Sequence, residues 1–153
     1  LFDVGHGRAS FSFAVAEAAI ADGFLPDTIS TDLQRGHVGS EPAHDLPLVM
    51  SKLRSAGMPV SDLFKAVTQT SARILGLDDE IGSLTAGSCA DLAVLEESEE
   101  VLVDCDGVER TGSVWSPALT IRAGRIVDVD HDDTKGAKER SSAIDTRRSR
   151  SAD

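Results

Sequence analysis

The stretch of this sequence best suited to chemistry is a β-branched run that ends on a carboxylate, Pro26-Asp27-Thr28-Ile29-Ser30-Thr31-Asp32-Leu33-Gln34. If Thr28 to Thr31 form a buried parallel strand, Asp32 stands at its C-terminal end, where α/β barrels and doubly wound sheets carry their reacting groups. A carboxylate placed there can take a proton from an attacking water, return it to a leaving group, or ligate a divalent cation. The plainer alternative is a helix N-cap or turn residue, roles that Asp fills readily. A second chemical stretch lies upstream, Asp3-Val4-Gly5-His6-Gly7-Arg8-Ala9-Ser10. Gly5 and Gly7 let the backbone turn sharply on both sides of His6, which would project the imidazole over a strand end or leave free N–H groups to cradle a phosphate. A third glycine and a Gly-Lys-Ser/Thr ending are both missing, so this is neither a dinucleotide nor a P-loop fingerprint. A tight turn holding a partly buried, hydrogen-bonded histidine is the structural alternative. His37 and His44 are seven residues apart in a loop without apolar period. That spacing is no ligand motif, and both read as solvated loop residues.

These groups need elements to hold them. A strand over Leu1 to Val4, a helix from about Phe11 to Asp22 capped by Ser10 or Ser12 and stopped at Gly23, and the strand ending at Thr31 form a strand, helix, strand unit. A crossover through one helix implies a parallel pair of strands. Two further helices are expected. One runs from Leu46 to Ala56, with Pro47 in its first turn and Leu46, Val49, Met50 and Leu53 inward. The other runs from Asp62 to Leu75, capped by Ser61, with Leu63, Phe64, Val67 and Ile74 inward and Gly76 as its stop. The character then changes to glycine-bearing turns and short strands up to Leu95, at Val101 to Cys105, Val114 to Trp115, Ala118 to Ile121 and Arg125 to Val129. That pattern suggests a small antiparallel sheet or sandwich. After Val129 only Ala137, Ala143 and Ile144 are apolar, too few to bury, so residues 131–153 read as a disordered tail.

Composition narrows the partners. The 153 residues include 41% hydrophobic ones, enough for one ordinary core. The net charge is −11, and residues 1–130 hold 9 Lys/Arg against 21 Asp/Glu. That balance argues against nucleic acid or an anionic membrane as partner, and no apolar run approaches the roughly 18 residues of a membrane span. Cys89 and Cys105 lack metal-type spacing and read as reduced thiols on strands of a cytoplasmic protein. The chain opens on Leu1 in what looks like the end of a buried strand, so it reads as a C-terminal fragment.

Two groups of motifs carry a resemblance. Phe2-Asp3-Val4-Gly5-His6-Gly7 is followed by Pro26-Asp27-Thr28-Ile29-Ser30-Thr31-Asp32-Leu33, and downstream stands Gly82-Ser83-Leu84-Thr85-Ala86-Gly87-Ser88-Cys89-Ala90-Asp91-Leu92-Ala93-Val94. With these the chain resembles the C-terminal part of metal-dependent amidohydrolases, in their dihydroorotase-like and deacetylase-like branch, over residues 1–129. The resemblance implies an α/β fold: the last two strands and helices of a (β/α)8 TIM barrel in residues 1–76, the C-terminal half of a small β-sandwich in residues 77–130, and the tail. It implies that Asp32 ligates the more buried of the catalytic divalent ions, zinc by expectation, and shuttles the proton. A His-x-His pair, a bridging carboxylated lysine and two later histidines complete the family's site and have no counterpart here. His6, Gly5, Gly7, Thr31 and Gln34 are expected to touch the substrate or to brace the groups that do. Gln34 stands where the family often has His, and it can hydrogen-bond but not titrate.

The implied function is hydrolysis of an amide, cyclic amide or acyl ester bond in a small-molecule substrate, with a homo-oligomer left open and the fragment alone expected to be inactive. Two other classes stay open at this point: a truncated remnant without activity, and a phosphate-binding module built on the Gly5-His6-Gly7 turn.

Overall fold

The computed structural model describes residues 1–6, 10–37 and 44–127. Gly7, the segment 38–43, the expected strand end at Val129 and the tail at 131–153 lie outside the described residues. Strand β1 (Asp3–Val4), helix α1 (Phe13–Ala21) and strand β2 (Thr28–Ile29) form the expected crossover. β1 and β2 pair in parallel, with Asp3 opposite Thr28 and Val4 opposite Ile29. The Asp3 carboxylate fixes this register by accepting hydrogen bonds from the hydroxyls of Thr28 and Ser30. α1 is rich in alanine, the best helix former, and is followed by Gly23 at φ 81°, a left-handed stop that glycine adopts without steric cost.

Helix α2 (Leu46–Ser55) starts at Asp45, whose side chain accepts a hydrogen bond from the Leu48 N–H at 2.9 Å. Val49, Met50 and Leu53 are buried on its inner face, as their spacing predicts. The single helix expected over 62–75 is instead two, α3 (Val60–Val67) and α4 (Gln69–Leu75). The break is at Thr68, at φ −125° and ψ −88°, and its hydroxyl donates back to the carbonyl of Phe64. Pro59, not Ser61, precedes the first turn of α3. The break also changes which side chains face inward. Leu63 is fully buried, whereas Phe64 and Ile74, expected inside, are largely exposed, and the Phe64 ring lies against Trp115 at 5.3 Å between centroids.

The β region consists of fewer and longer strands than the sequence suggests. β3 (Leu92–Val103), β4 (Glu109–Arg122) and β5 (Arg125–Val127) form one antiparallel sheet in that order. The acidic run Glu96 to Glu100, read as a gap between strands, pairs with residues 112–116 of β4, and all five of its residues are exposed. Cys89 and Cys105 are exposed thiols outside the strands, Cys89 before β3 and Cys105 in the turn between β3 and β4.

One core joins the two regions. Phe11, Phe13, Ile29, Val49, Met50, Leu53, Met58 and Leu63 pack in the same cluster as Leu102, Val114 and Trp115 of the sheet. Each fully buried large side chain here contributes about 1.5–3 kcal/mol by leaving water. The seam between α2 and β4 is also hydrogen-bonded. Ser51 Oγ accepts from the Trp115 N–H at 2.9 Å and donates to the Pro47 carbonyl at 2.7 Å. Beside it, Arg54 lies over the Trp115 ring at 4.7 Å and pairs with Glu97 at 3.2 Å.

The turn after β3 is tied to α1. Asp104 is buried, and its carboxylate accepts from the N–H groups of Phe13, Asp106 and Val108 at 2.8–2.9 Å. Burial alone pushes the Asp104 carboxyl up, but the three N–H donors and the nearby Lys52 ammonium outweigh it and hold the group below the usual carboxylate range. Lys52, itself mostly covered, is pulled the other way: loss of water lowers its ammonium below the usual range, against the partial compensation of Asp104.

Candidate functional site

The short parallel pair brings the two chemical stretches together. Val4 accepts a hydrogen bond from the Ser30 N–H at 2.9 Å, so the chain leaves β1 at Gly5 and β2 at Ser30 side by side. Gly5 is packed closely. A Cβ at this position would lie 2.7 Å from Ser30 Oγ, 2.9 Å from the Asp32 backbone nitrogen and 3.1 Å from Asp32 Cβ. Glycine is thus needed here for close approach of the two backbones, not for an unusual φ. Asp32 itself is in the left-handed region at φ 50° and its residue is exposed. For a non-glycine residue this conformation is uncommon, although Asp tolerates it better than most. β2 ends at Ile29, short of the strand end expected at Thr31, so Asp32 turns the chain three residues beyond it, and the next amide, Leu33 N–H, donates to Thr31 Oγ1 at 3.1 Å. Thr31 is half-buried beside it, and Gln34 is exposed at the head of a single 3-10 turn, Arg35–His37.

His6 follows Gly5 and is 2% exposed. Its ring meets Phe11 edge-on at 5.9 Å between centroids, and His44 at 6.2 Å. His44 in turn lies 5.8 Å from His37. The expectation of solvated loop histidines therefore fails for His44, which is 9% exposed just before the Asp45 cap of α2, with its ring beside that of His6. Burial of His6 was a reading the sequence left open. The carbonyl of His6 accepts from both the N–H and the hydroxyl of Ser10.

Of the six sequence candidates, Gly5, Thr31 and Asp32 are in one place, His6 is next to them through Gly5, Gln34 is two residues beyond Asp32, and Gly7 lies outside the described residues. Among the described residues no group of three or more His, Cys, Asp or Glu side chains is arranged to hold a metal ion. Asp32 offers one carboxylate of the kind a divalent cation takes, short of the roughly three protein ligands of a catalytic zinc. Sequence reasoning passed over Asp104, although Asp104-Cys105-Asp106-Gly107 has the Asp and Gly spacing of a self-bonded turn, with Gly107 at φ 78°. An open depression of about 300 Å³ lies elsewhere, lined by Gln69, Arg73, Asp78, Gly82 and Thr85. It belongs to the Gly82 loop, whose glycine at φ 84° packs against Ala72 and the Thr68 carbonyl. Among the described residues no helix is long and apolar enough to cross a membrane.

The chain is similar to several known proteins. A deacetylase of Agrobacterium fabrum is 50% identical over 111 residues, covering 72% of this chain and 25% of that protein. A deacetylase of Brucella anthropi is 47% identical over 111 residues, with 72% and 26% covered, and one of Enterococcus faecalis is 35% identical over 131 residues, with 84% and 35% covered. The chain thus spans about a quarter to a third of the length of these relatives. Among solved structures, an adenine deaminase superposes with a TM-score of 0.71 at 35% identity, over 84% of this chain and 36% of that one. A dihydroorotase superposes with a TM-score of 0.70 at 38% identity, over 82% and 34%. The Amidohydrolase family model matches residues 9–127, through β2, Asp32 and the sheet, and the chain belongs to that family of hydrolases.

Proposed function

We propose that this chain is the C-terminal portion of a metal-dependent deacetylase or closely related amidohydrolase, and that Asp32 is its proton-transferring carboxylate. The observation that carries the reading is the juxtaposition beyond the end of the parallel pair: Gly5 admits the Asp32 backbone to within 2.9 Å of the place a Cβ would occupy, and Asp32, three residues past β2, is exposed with a left-handed backbone. An uncommon backbone conformation held by close packing is a reason to look for function at that residue. In this reading residues 1–76 are the last two strands and helices of a (β/α)8 barrel, and residues 77–130 are the second half of a β-sandwich. The likeness to three deacetylases supports an acyl group on nitrogen or oxygen of a small molecule as the bond that is cut.

A divalent metal, zinc by preference, supplies water that is acidic enough to ionise near neutral pH when bound. Asp32 is the residue of this chain that would ligate it, and the remaining ligands would come from outside the described residues. Asp32 would take a proton on one carboxylate oxygen from the attacking water and would give it to the departing amine or alkoxide. Gly5 and Thr31 hold the Asp32 backbone, while His6 and Gln34 border the place where the substrate would lie.

The test is an assay of the full-length protein, as purified, after chelation, and with zinc restored, on a panel of N-acetyl amino acids and acetyl esters. Turnover that disappears with chelator and returns with zinc supports the reading. Turnover unaffected by complete metal removal, or an Asp32→Asn variant as active as the parent, would overturn it.

A further inference from the structure

The turn at the far end of the β3–β4 hairpin lies almost one hundred residues from His6 in sequence, yet it is bonded to the segment that follows His6. Three hydrogen bonds cross between them. Asp104 Oδ2 accepts from the Phe13 N–H at 2.9 Å, the first helical residue of α1. The Cys105 N–H donates to the Phe11 carbonyl at 2.8 Å. Ser12 Oγ donates to Asp106 Oδ2 at 3.3 Å. Ser12 itself makes no side-chain cap to α1, so the cap of this helix comes from Asp104. The clamp reaches His6 in one further step. Phe11, held at its carbonyl, is buried with its ring edge-on to His6, and Lys52 lies over the same ring at 5.7 Å. The other Asp104 oxygen accepts from Asp106 and Val108, so one carboxylate both shapes the turn and attaches it to α1.

We propose that Asp104 is a positioning residue for His6: the β3–β4 turn fixes the start of α1 and the Phe11 ring, and Phe11 fixes the imidazole beside Gly5 and Asp32. The proposal rests on the reading of His6 as part of the site around Asp32. It gives the sheet a part in the site, since the turn after β3 is bonded to the Phe11 carbonyl.

The experiment uses the full-length protein with labelled histidine rings, the His6 signal being identified by its disappearance in His6→Gln. Asp104→Asn keeps the oxygen that faces the Asp106 and Val108 N–H groups and sets a donor against the Phe13 N–H. The expected result is amide exchange at Phe13 faster by about tenfold, with the His6 ring signal shifted and the Asp106 and Val108 amides unmoved. Val67→Ala loosens the core in α3, away from the clamp, and should leave the His6 signal in place. Should Asp104→Asn fail to fold, Gly107→Ala strains the same turn at φ 78° without a clash and should shift His6 in the same way. A His6 signal unmoved in the clamp variants, or moved as much by Val67→Ala, overturns the proposal. Absence of hydrolysis by the parent protein, with His6 still moved by Asp104→Asn, would refute the hydrolase reading and leave the clamp standing.

Discussion

The sharpest prediction concerns Gly5→Ala. One methyl group is added where the chain has no room for it: ordinary contact begins near 3.4 Å, whereas the new Cβ would meet the Asp32 nitrogen at 2.9 Å and Ser30 Oγ at 2.7 Å. The hydroxyl can rotate away at the loss of its bond to Asp3. The backbone nitrogen cannot, so the ends of β1 and β2 must part by roughly half an ångström. Overpacking of this kind costs about 1–3 kcal/mol. Reduced freedom of the unfolded chain offsets it by about 0.4–1 kcal/mol, because Gly5 does not have a positive φ. The net loss of up to about 2.6 kcal/mol should lower the thermal midpoint by up to roughly 10 °C for a chain of this size. The effect on turnover should be larger than on stability, since misplacing a reacting group by about 1 Å can cost 10²-fold. Scanning calorimetry gives the first quantity and steady-state kinetics of the full-length protein the second. If Gly5→Ala keeps both the midpoint and kcat of the parent, then the close approach of the two strand ends does not position Asp32 and the site argument fails.

Three further outcomes are expected. Asp32→Asn should lower kcat by about 10² to 10⁴, roughly 3 to 5 kcal/mol, with little change in KM; Asp32→Gly should be as inactive while gaining up to about 1 kcal/mol from relief of the left-handed backbone, and a loss of stability in urea titration would speak against strain there. Ser51→Ala should cost about 1–3 kcal/mol because the buried Trp115 N–H loses its acceptor, and an unchanged urea midpoint would show the seam to be dispensable. Asp104 titrates lower in the folded chain than in the unfolded one, so its stabilisation is complete above about pH 4 and is lost as the pH falls through the folded value; an Asp104→Asn variant whose acid unfolding tracks that of the parent would refute this.

Much of the local structure is legible in the residues because it depends on neighbours in sequence. The crossover of β1, α1 and β2 follows from an alanine-rich helix between two short apolar runs, whereas β2 stops at Ile29 and leaves Asp32 three residues beyond the strand. The left-handed backbone of Asp32 is not legible, since Asp is equally at home in caps and ordinary turns. The break at Thr68 escapes a pattern that continues in helical period through it; it shows only in the Thr68 backbone, at φ −125° and ψ −88°. The acidic residues Glu96 to Glu100 hide a strand that β4 completes by pairing. Burial of His44 is not legible either, since its ring meets that of His6, a contact between segments far apart in sequence.

The Asp104 clamp also bears on the order in which the chain organises itself. The Phe13–Asp104 bond spans 91 residues, whereas the Phe2–Asp27 bond that closes the crossover spans 25. Closing the longer loop costs only about 1.1 kcal/mol more, by the logarithmic law of loop closure. The native state therefore loses little by relying on so distant a contact, but a search for it is slow compared with the formation of nearby pairs. The crossover and the β3–β4 hairpin should thus each form early, with their docking as the late step. Weakening the clamp should then accelerate unfolding and leave the refolding rate nearly unchanged, and stopped-flow refolding slowed in proportion to the lost stability would show the contact to be part of the nucleus instead.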